Sequence, residues 1–545
     1  MRNRAWFHRA TIISTYLSLL LGAATARHGA AQSTATTPAT LSKSTSESAP
    51  NPVLWEDLAD VDIIRVGDAY YYSSSTMHYS PGAPILRSYD LVNWEYVGHS
   101  VPVLDFSPSF DLNGGRAYVG GTWASFLGYR KSNQTFYWGG CIGFSKTHIY
   151  AAPAAKGPWT KKAVIDNCYY DAGLLIDDDD TMYVAYGNTT LHVAQLTPDA
   201  SHQVKTQVIF RTPPEIGALE GSRFYKVNGN YYIFTTRPSN AEYVLRSTSG
   251  PFGPYEIRPL LINTKSPVTG AGVPHQGGIV QTPNGDWYYM AFTDAYPGGR
   301  IPVLTPLKWD ADGWPSLELP NNSWPISYPV PRIANSHRPV ASLTGTDKFK
   351  GPDLGPEWEW NHNPDVSKYS FNHGLILKTA TVTEDLYSAR NTLTHRIRGP
   401  SSTATVLIDF AHMSDGDRVG LSMFRNSSAW IGVALDSGKF RVLMKSGITM
   451  DQHWNTTSTG TEDASAPVSG KSIWLRVSAD IRPGAGRAAI FSYSTDGKSF
   501  TPLGPRFVLN ADWPFFMGYR FGIFNYATKE LGGEATIKTF TLATP

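Results

Sequence analysis

A pattern that recurs through the first part of the chain is clearest in Ala218-Leu-Glu-Gly-Ser-Arg-Phe-Tyr-Lys-Val-Asn-Gly-Asn-Tyr-Tyr-Ile-Phe-Thr-Thr236. Its Asn-Gly pair stands between two segments, 223–227 and 230–236, that are rich in aromatic and β-branched residues. Asn-Gly favours the two-residue turn of a β-hairpin, because both residues tolerate the positive φ that this turn requires. The stretch therefore predicts a hairpin, and Glu220 places a carboxylate just before its first strand.

Four further stretches between residues 51 and 331 repeat this turn and its second strand. They read Val66-Gly-Asp-Ala-Tyr-Tyr-Tyr-Ser-Ser74, Ser132-Asn-Gln-Thr-Phe-Tyr-Trp-Gly139, Asp178-Asp-Asp-Thr-Met-Tyr-Val-Ala185 and Pro283-Asn-Gly-Asp-Trp-Tyr-Tyr-Met-Ala291. Five units of short strands without amphipathic helices are typical of a five-bladed β-propeller. An array of β-sandwiches is the alternative, and the even repeat favours the propeller.

The composition changes after the last repeat. Later segments such as Ala404-Thr-Val-Leu-Ile-Asp-Phe410 and Ile473-Trp-Leu-Arg-Val-Ser478 are strand-like. Such segments, spread over about 200 residues, are typical of a β-sandwich. The sequence thus predicts an all-β protein, with a five-bladed β-propeller over residues 51–340 followed by a β-sandwich of the jelly-roll type over residues 341–545.

The first residues predict a secretory signal peptide. Three arginines precede the apolar run Ile12-Ile-Ser-Thr-Tyr-Leu-Ser-Leu-Leu-Leu21, and Ala24-Thr25-Ala26 follows as a small-residue cleavage site. A transmembrane helix is the alternative, but such a helix needs about 20 apolar residues. We therefore assign residues 1–26 to a signal peptide and residues 27–50, rich in Ser and Thr, to a linker.

Charge and cysteine content narrow the function. The formal net charge of +2 gives no indication of nucleic acid or an acidic membrane as a partner. Cys141 and Cys168 cannot supply a four-ligand zinc site. In an oxidising compartment they can form a disulfide, and two buried free thiols are the alternative. Five Asn-x-Ser/Thr sequons fit an extracellular glycoprotein: Asn133, Asn188, Asn321, Asn426 and Asn455.

One residue from each repeat is expected at the mouth of the central channel, where the first strand of each blade starts. Counting back from the hairpin turns reaches Asp60, Trp123, Asp171, Glu220 and His275. Crowded carboxylates raise one another's pKa, which separates a proton donor from a proton acceptor. Hydrolysis of a glycosidic bond needs such a pair, and an indole such as that of Trp123 can stack on a sugar face.

Spacing alone leaves several alternatives open. A carboxylate that begins a strand is often a turn or cap residue, and Asp57 and Asp62 compete with Asp60 for the position at the mouth. His275 can be a hydrogen-bonded core residue, or a metal ligand for an ion such as calcium on the axis. The acidic run at residues 177–180 falls in the turn of the third repeat and is interpreted as a solvated turn.

Six short stretches occur in order across residues 51–331. They are Asp60-Val-Asp-Ile-Ile-Arg-Val-Gly-Asp-Ala-Tyr-Tyr71, Ser88-Tyr-Asp-Leu-Val-Asn-Trp94, Tyr170-Asp-Ala-Gly-Leu-Leu-Ile-Asp177, Glu220-Gly-Ser, His275-Gln-Gly-Gly-Ile-Val280 and Gly299-Arg300. In this order they resemble glycoside hydrolase family 43. The later segments Asp347-Lys-Phe and Trp360-Asn-His-Asn-Pro-Asp365 are similar to the concanavalin-like sandwich appended to many of its β-xylosidases and arabinofuranosidases.

The resemblance implies a role for each acid: Asp60 would be the general base, Glu220 the general acid, and Asp171 the residue that orients and tunes the acid. The family inverts the anomeric configuration, so the base and the acid are expected about 6.5–9.5 Å apart, with room for water. The sequence departs from the family where Asp60-Val-Asp and Asp171-Ala-Gly replace Asp-Pro-Ser, and where Glu220-Gly-Ser replaces Glu-Gly-Pro.

The resemblance also implies substrate contacts. His275 and Arg300 match positions that hold the pocket together or touch the substrate. The stretch Thr76-Met-His-Tyr-Ser-Pro-Gly82 resembles a fungal branch that acts on arabinoxylan, which would put His78 near the pocket.

We therefore expect a secreted, monomeric, exo-acting glycosidase that removes α-L-arabinofuranosyl side groups from arabinoxylan, a plant cell-wall polysaccharide, without a required cofactor. A β-xylosidase is the close alternative, because the two sugars are pentoses of similar shape. A non-catalytic carbohydrate-binding propeller is the alternative from another class. The sandwich is expected either to bind polysaccharide or to form one wall of the pocket.

Overall fold

The repeats form five antiparallel sheets of four strands each, arranged as the blades of a propeller. The computed structural model describes residues 47–331 and 338–545. In each of the five sheets the strands lie side by side in chain order, so every blade is a meander of consecutive strands. This confirms the predicted five-bladed propeller, and we number blades I to V along the chain.

The strands of the blades have the following bounds. Blade I contains Asp62–Val66, Ala69–Ser73, Gly82–Ser88 and Trp94–Val101. Blade II contains Ser125–Arg130, Thr135–Ile142, Lys146–Ala152 and Thr160–Ile165. Blade III contains Gly173–Ile176, Met182–Asn188, Thr190–Leu196 and Gln203–Arg211. Blade IV contains Glu220–Val227, Asn230–Arg237, Ala241–Ser247 and Glu256–Ile262. Blade V contains His275–Gln281, Trp287–Asp294, Arg300–Trp309 and Pro315–Leu317.

The hairpin turns between the first two strands of the blades fall where the repeats predict them. In blade IV, Asn228 and Gly229 have φ angles of 50° and 81°, the left-handed pair that Asn-Gly accepts at little cost. Neighbouring blades pack through buried apolar side chains, as Phe234 of blade IV does in one cluster with Ile279 and Tyr289 of blade V. Local turn chemistry and apolar packing therefore explain the propeller together.

A short pair of strands joins the two ends of the propeller. Ser48–Pro50 pairs antiparallel with Ser327–Pro329. Asn51 Nδ2 adds hydrogen bonds of 2.9 Å to the carbonyl oxygens of Leu304 and Pro325. The first strand therefore includes the last residues of the expected linker at 27–50. The expected signal peptide at 1–26 and the rest of that linker up to residue 46 lie outside the described residues.

The C-terminal part is the predicted β-sandwich of two antiparallel sheets. One sheet contains, in spatial order, Tyr369–Phe371, Leu375–Lys378, Glu534–Ala543, Ser401–Asp409, Ser472–Asp480, Ala488–Ser494 and Thr501–Pro502, with Gly345–Asp347 paired to Glu534–Ala543 and Phe507–Val508 paired to Ala488–Ser494. The other contains Thr456–Pro467, Lys439–Met450, Ser427–Asp436, Asp417–Phe424, Arg520–Ala527, Leu393–Arg396, Trp358–Asn361 and Tyr79–Ser80. The alternating inner faces form one apolar core.

Short 3₁₀ helices are the helical elements that the described residues contain. They are Pro108–Asp111, Pro320–Asn322, Val366–Lys368, Leu386–Ser388 and Trp513–Phe515. None of the helices in this part of the chain is long and apolar enough to cross a membrane.

The propeller and the sandwich share a sheet. The two-residue strand Tyr79–Ser80, which follows the second strand of blade I, pairs with Trp358–Asn361 at the edge of the second sandwich sheet. This pairing satisfies backbone groups that the edge of the sheet would otherwise expose. It also fixes the sandwich against the side of the propeller where the blades' first strands start.

The two cysteines form a disulfide. Cys141, in the second strand of blade II, is bonded to Cys168 with an S–S distance of 2.06 Å. Cys168 lies three residues before Asp171, so the disulfide ties blade II to the segment that leads into blade III.

Candidate active site

Three of the expected axis residues are carboxylates that begin blades I, III and IV. Asp60 and Asp171 each lie two residues before the first strand of their blade, and Glu220 is the first residue of its strand. Asp60 and Asp171 have φ angles of 58° and 48°. This left-handed conformation is uncommon outside glycine, and it turns each side chain away from the regular strand alternation.

Asp60 is buried and paired with an arginine. Its Oδ1 accepts a hydrogen bond of 2.9 Å from Arg300 Nη1, and its Oδ2 accepts one from the Ser75 hydroxyl. A guanidinium partner favours the charged form of a carboxylate, which is the form that accepts a proton. Arg300 thus lies in the site as the sequence predicts, in contact with the carboxylate expected to be the base.

The surroundings of Asp171 and Glu220 raise the pKa values of both carboxyl groups. Burial, together with the nearby charges of Glu220 and Asp60, raises the pKa of Asp171 well above its usual range. Burial also raises the pKa of Glu220, against the opposing effect of two hydrogen-bond donors. The mutual effects show that the three carboxylates converge on one site. A carboxyl group with a raised pKa can donate a proton, and a neighbouring carboxylate that is paired with an arginine can accept one.

A buried arginine fixes the backbone that carries these acids. Arg223 Nη2 donates to the carbonyl oxygen of Asp60 at 2.8 Å, and its Nε donates to Val61 at 2.6 Å. Its Nη1 donates to the carbonyl oxygens of Ala172 and Ser222, both at 2.9 Å. One guanidinium therefore joins the starts of blades I, III and IV on the axis.

The structure separates Asp60 from its two competitors. Both oxygens of Asp57 accept backbone N–H groups, from Arg300 at 2.8 Å and from Gly518 of the sandwich at 2.9 Å. Asp62 lies deeper in the channel, where its Oδ2 accepts the Leu127 N–H at 2.7 Å. Burial raises the pKa of Asp62 to about 6. Asp57 and Asp62 are therefore structural, and Asp60 is the acid at the mouth.

His275 begins the first strand of blade V and is near enough to Glu220 to lower the pKa of that acid. Its ring is 5% exposed and packs 4.6 Å from the Phe292 ring, while its Nδ1 lies 2.9 Å from the Val273 carbonyl oxygen. A carbonyl oxygen only accepts, so Nδ1 carries a proton. Among the described residues, no group of three or more His, Cys, Asp or Glu is placed to hold a metal ion. The expected calcium ion near His275 stays a prediction.

An aromatic wall surrounds the mouth. The half-buried Trp123 ring lies 4.8 Å from Phe516 of the sandwich and 6.2 Å from Phe144. Phe144 is 65% exposed and lies 6.0 Å from Tyr170, whose hydroxyl donates to Glu220 Oε2 at 3.1 Å. The Trp123 ring thus lies at the mouth among other aromatic rings, where an indole can stack on a sugar face. The Phe516 carbonyl accepts from Arg300 Nε at 3.2 Å, so the sandwich contributes to the site.

His78 does not line the pocket, contrary to the expectation from the resemblance. It is fully buried between the propeller and the sandwich, 4.7 Å from the Tyr118 ring and 4.9 Å from the His362 ring. The Val119 N–H donates to His78 Nδ1 at 3.2 Å. The strand that follows His78 pairs with the sandwich, and this pairing turns the histidine into the interface.

The five sequons occupy different environments. Asn133, Asn321 and Asn455 are exposed, and Asn426 is half-buried. Asn188 is exposed too, but its Nδ2 donates a hydrogen bond to Glu220 Oε2. Glycosylation of all five stays a prediction, and at Asn188 the sequon coincides with the candidate active site.

Sequence reasoning missed four contributors to this site. Tyr170 immediately precedes Asp171 and belongs to the same motif, so the sequence offers a signal for it. Asn188 ends the second strand of blade III, where its sequon is the one signal that the sequence offers. The sequence offers no signal for Ser75 or Phe516, because contacts between distant loops leave no periodic pattern.

Comparison with known proteins places the chain in a family. The family model of glycosyl hydrolases family 43 matches residues 49–315, and that of the β-xylosidase C-terminal concanavalin A-like domain matches residues 346–543. A β-xylosidase of Formosa agariphila is 28% identical over 90% of this chain and 89% of its own length. A non-reducing end α-L-arabinofuranosidase of Bacteroides ovatus is 27% identical over 68% of this chain and 72% of its own.

A solved structure agrees more closely. It is described as a family 43 glycoside hydrolase whose engineered active site displays both endo-xylanase and exo-arabinofuranosidase activity. It is 48% identical, has a TM-score of 0.89, and covers 92% of this chain and 100% of its own. With three carboxylates at the mouth of a five-bladed propeller and a matching C-terminal sandwich, the chain belongs to glycosyl hydrolase family 43 and is a glycoside hydrolase.

Proposed function

We propose that the protein is a secreted, inverting exo-α-L-arabinofuranosidase that removes arabinofuranosyl side groups from arabinoxylan. The observation that carries this proposal is the division among the three acids. Asp60 is held by Arg300, whereas burial raises the pKa of Asp171 and Glu220. One ionised and one protonated carboxyl group are what inversion with a water nucleophile requires.

In the proposed mechanism, Asp60 takes a proton from water as the water attacks the anomeric carbon. Glu220 gives its proton to the departing glycosidic oxygen. The neighbouring Asp60 carboxylate raises the Glu220 pKa and so helps Glu220 to keep its proton. Asp171, whose own pKa is raised, is the residue that orients and tunes the acid. Trp123 and Phe516 offer apolar faces to the sugar ring, and His275 limits the pocket beside Glu220.

Arabinofuranosidase activity is supported by the names of relatives, the Bacteroides ovatus enzyme and the engineered enzyme above. β-Xylosidase activity is the second candidate, because the sandwich belongs to a domain family named for β-xylosidases and the Formosa agariphila relative carries that name. Secretion is supported by the sequence of residues 1–26 and by the Cys141–Cys168 disulfide, since disulfides persist in oxidising compartments.

The test is to measure the sugars released from native arabinoxylan, with nitrophenyl α-L-arabinofuranoside and β-D-xyloside as simple substrates. We expect arabinose as the main product, with the anomeric configuration of the first product inverted in proton NMR. Xylose as the only product would assign the chain to the β-xylosidases. A retained configuration would contradict the roles given to Asp60 and Glu220.

A further inference from the structure

The side chain that orients Glu220 comes from blade III. Asn188 ends the strand Met182–Asn188, and its Nδ2 donates a hydrogen bond to Glu220 Oε2. The same asparagine begins the sequon Asn188-Thr-Thr190. We propose that Asn188 is the positioning residue of Glu220, and that active molecules carry this sequon unmodified. The inference rests on the proposed role of Glu220 as proton donor.

Asn188 is tied to the backbone on both sides of the site. Gly187 N–H donates to the Tyr170 carbonyl at 3.0 Å, and Thr189 N–H donates to the Leu219 carbonyl at 3.0 Å. Thr189 has a φ of 62°, so the chain turns sharply directly after Asn188. Tyr170 and Leu219 are the residues immediately before Asp171 and Glu220. The position of Asn188 is therefore coupled to the two acids with raised pKa values.

The carboxamide has one orientation that satisfies its neighbours. The Thr189 hydroxyl donates to Asn188 Oδ1 at 2.8 Å, which leaves Nδ2 facing Glu220. Rotation of the amide by 180° would place Oδ1 against a carboxyl oxygen that already accepts from Tyr170. The contact thus has a fixed donor and a fixed acceptor.

These donors distinguish the two oxygens of Glu220. Oε2 accepts from both Asn188 Nδ2 and Tyr170 OH. The proton of the neutral acid therefore belongs on Oε1, the oxygen that faces the leaving group in this proposal. After the transfer, both donors stabilise the new carboxylate, and they lower the Glu220 pKa against the effect of burial. Asn188 thus orients the acid and makes the proton easier to give away.

N-glycosylation would act on the same nitrogen. In that reaction Nδ2 bonds to the anomeric carbon of an oligosaccharide donor, the sugar–phosphate bond of the lipid diphosphate breaks, and Nδ2 loses one proton. The first sugar would then project from an atom within hydrogen-bond distance of Glu220. It would occupy the mouth where the substrate's leaving group must lie.

Protein from a host without N-glycosylation tests the positioning role. We expect Asn188→Ala to lower kcat about 10–100-fold, as misplacement of a general acid does, and to move the basic limb of the pH–rate profile to higher pH. Asn188→Asp keeps the shape but adds a carboxylate, so it should move that limb further. Thr190→Val removes the sequon and leaves Asn188, and it should match the wild type.

Two outcomes separate the possible failures. If Asn188→Ala and Asn188→Asp keep the wild-type kcat and basic limb while Glu220→Gln is inactive, the positioning role is wrong and the proposed function stands. If Glu220→Gln hydrolyses the polysaccharide normally, Glu220 is not the proton donor, and the positioning role of Asn188 is then wrong as well.

Protein secreted from a glycosylating host tests whether active molecules carry the Asn188 sequon unmodified. Mass spectrometry of the Asn188 peptide gives the occupied fraction, and Thr190→Val from the same host is the reference. We expect the ratio of wild-type to Thr190→Val specific activity to equal the unoccupied fraction, including a ratio of one if Asn188 is unmodified. Full activity with Asn188 occupied would overturn the inference. Thr135→Val, which removes the Asn133 sequon, is the control and should not change activity.

Discussion

The acids at the propeller mouth and the buried acid Glu359 at the interface with the sandwich are paired with arginines in opposite ways. At the propeller mouth, Asp60, Asp171 and Glu220 crowd together, and a single arginine, Arg300, is paired with them among the described residues. At the interface with the sandwich, one acid, Glu359, has two arginines. Its Oε1 accepts from Arg396 at 2.9 Å, and its Oε2 accepts from Arg520.

The carboxyl pKa values at the two places are therefore shifted in opposite directions. Burial alone would raise the pKa of Glu359, but Arg396 and Arg520 outweigh it and hold that pKa well below the usual range. At the mouth, burial and like charges leave Asp171 and Glu220 with raised pKa values. Burial alone thus does not identify a functional acid. Glu359 is paired with an arginine on each oxygen and stays ionised near neutral pH, whereas the three acids at the mouth outnumber their one paired arginine.

The largest effect that tests this comparison is on activity. Glu220→Gln should lower kcat on arabinoxylan by about 10²–10⁴-fold, since it removes the transferable proton. It should leave the free energy of unfolding nearly unchanged, because the glutamine oxygen can still accept from Asn188 and Tyr170. Steady-state kinetics and denaturant unfolding measure the two quantities. A large loss of stability with little loss of activity would place Glu220 in the structural class.

The opposite result is expected for Glu359→Gln. Removing this charge leaves two buried guanidinium groups without their partner, which costs about 3–5 kcal/mol. Denaturant unfolding should show that loss, whereas kcat of the folded variant should stay near the wild-type value. The exposed Glu384, as Glu384→Gln, is the matched control and should change neither quantity. Equal stability of the two variants would contradict the structural role of Glu359.

A smaller, pH-dependent effect is expected at the same interface. Burial lowers the pKa of His78 well below its usual value and that of His362 to about 3. Both imidazoles therefore bind protons in the unfolded state below pH of about 6.5 but stay neutral when folded. The two histidines therefore contribute a loss of stability as the pH falls from about 6.5, by about 2 kcal/mol per histidine at pH 5.

Denaturant unfolding at pH 8 and pH 5 measures the free energy of unfolding at each pH. Between these pH values the His362→Gln variant should lose about 2 kcal/mol less stability than the wild type. An unchanged loss in that variant would show that His362 is protonated in the folded protein.

The smallest effect concerns the wall that the sandwich lends to the mouth. Phe516→Ala removes a ring packed against Trp123 and Arg300, at a cost of about 1 kcal/mol in substrate binding. We expect KM to rise about 5-fold with little change in the basic limb of the pH profile, and Phe516→Leu should recover part of that rise. A change in the pH limb instead of KM would mean that the loop acts on the acids.

The sequence predicts the fold well, because each blade repeats the same local chemistry. The Asn228-Gly229 turn and its four counterparts specify hairpins without help from distant residues, and counting back from them reaches Asp60, Asp171 and Glu220. It predicts the contacts between loops poorly. Arg223, Asn188 and Phe516 act across blades or domains, so no spacing rule connects them with the acids. His78 shows the converse error, since a local motif could not foresee the strand pairing that buries it.

A substrate whose leaving group needs no proton shows whether Glu220 is the proton donor. Dinitrophenolate departs without general acid help, so Glu220→Ala should hydrolyse dinitrophenyl α-L-arabinofuranoside at close to the wild-type rate while losing activity on arabinoxylan. Asp60→Ala should fail on both substrates, because water still needs its base. If Glu220→Ala loses activity equally on the two substrates, Glu220 is not the proton donor.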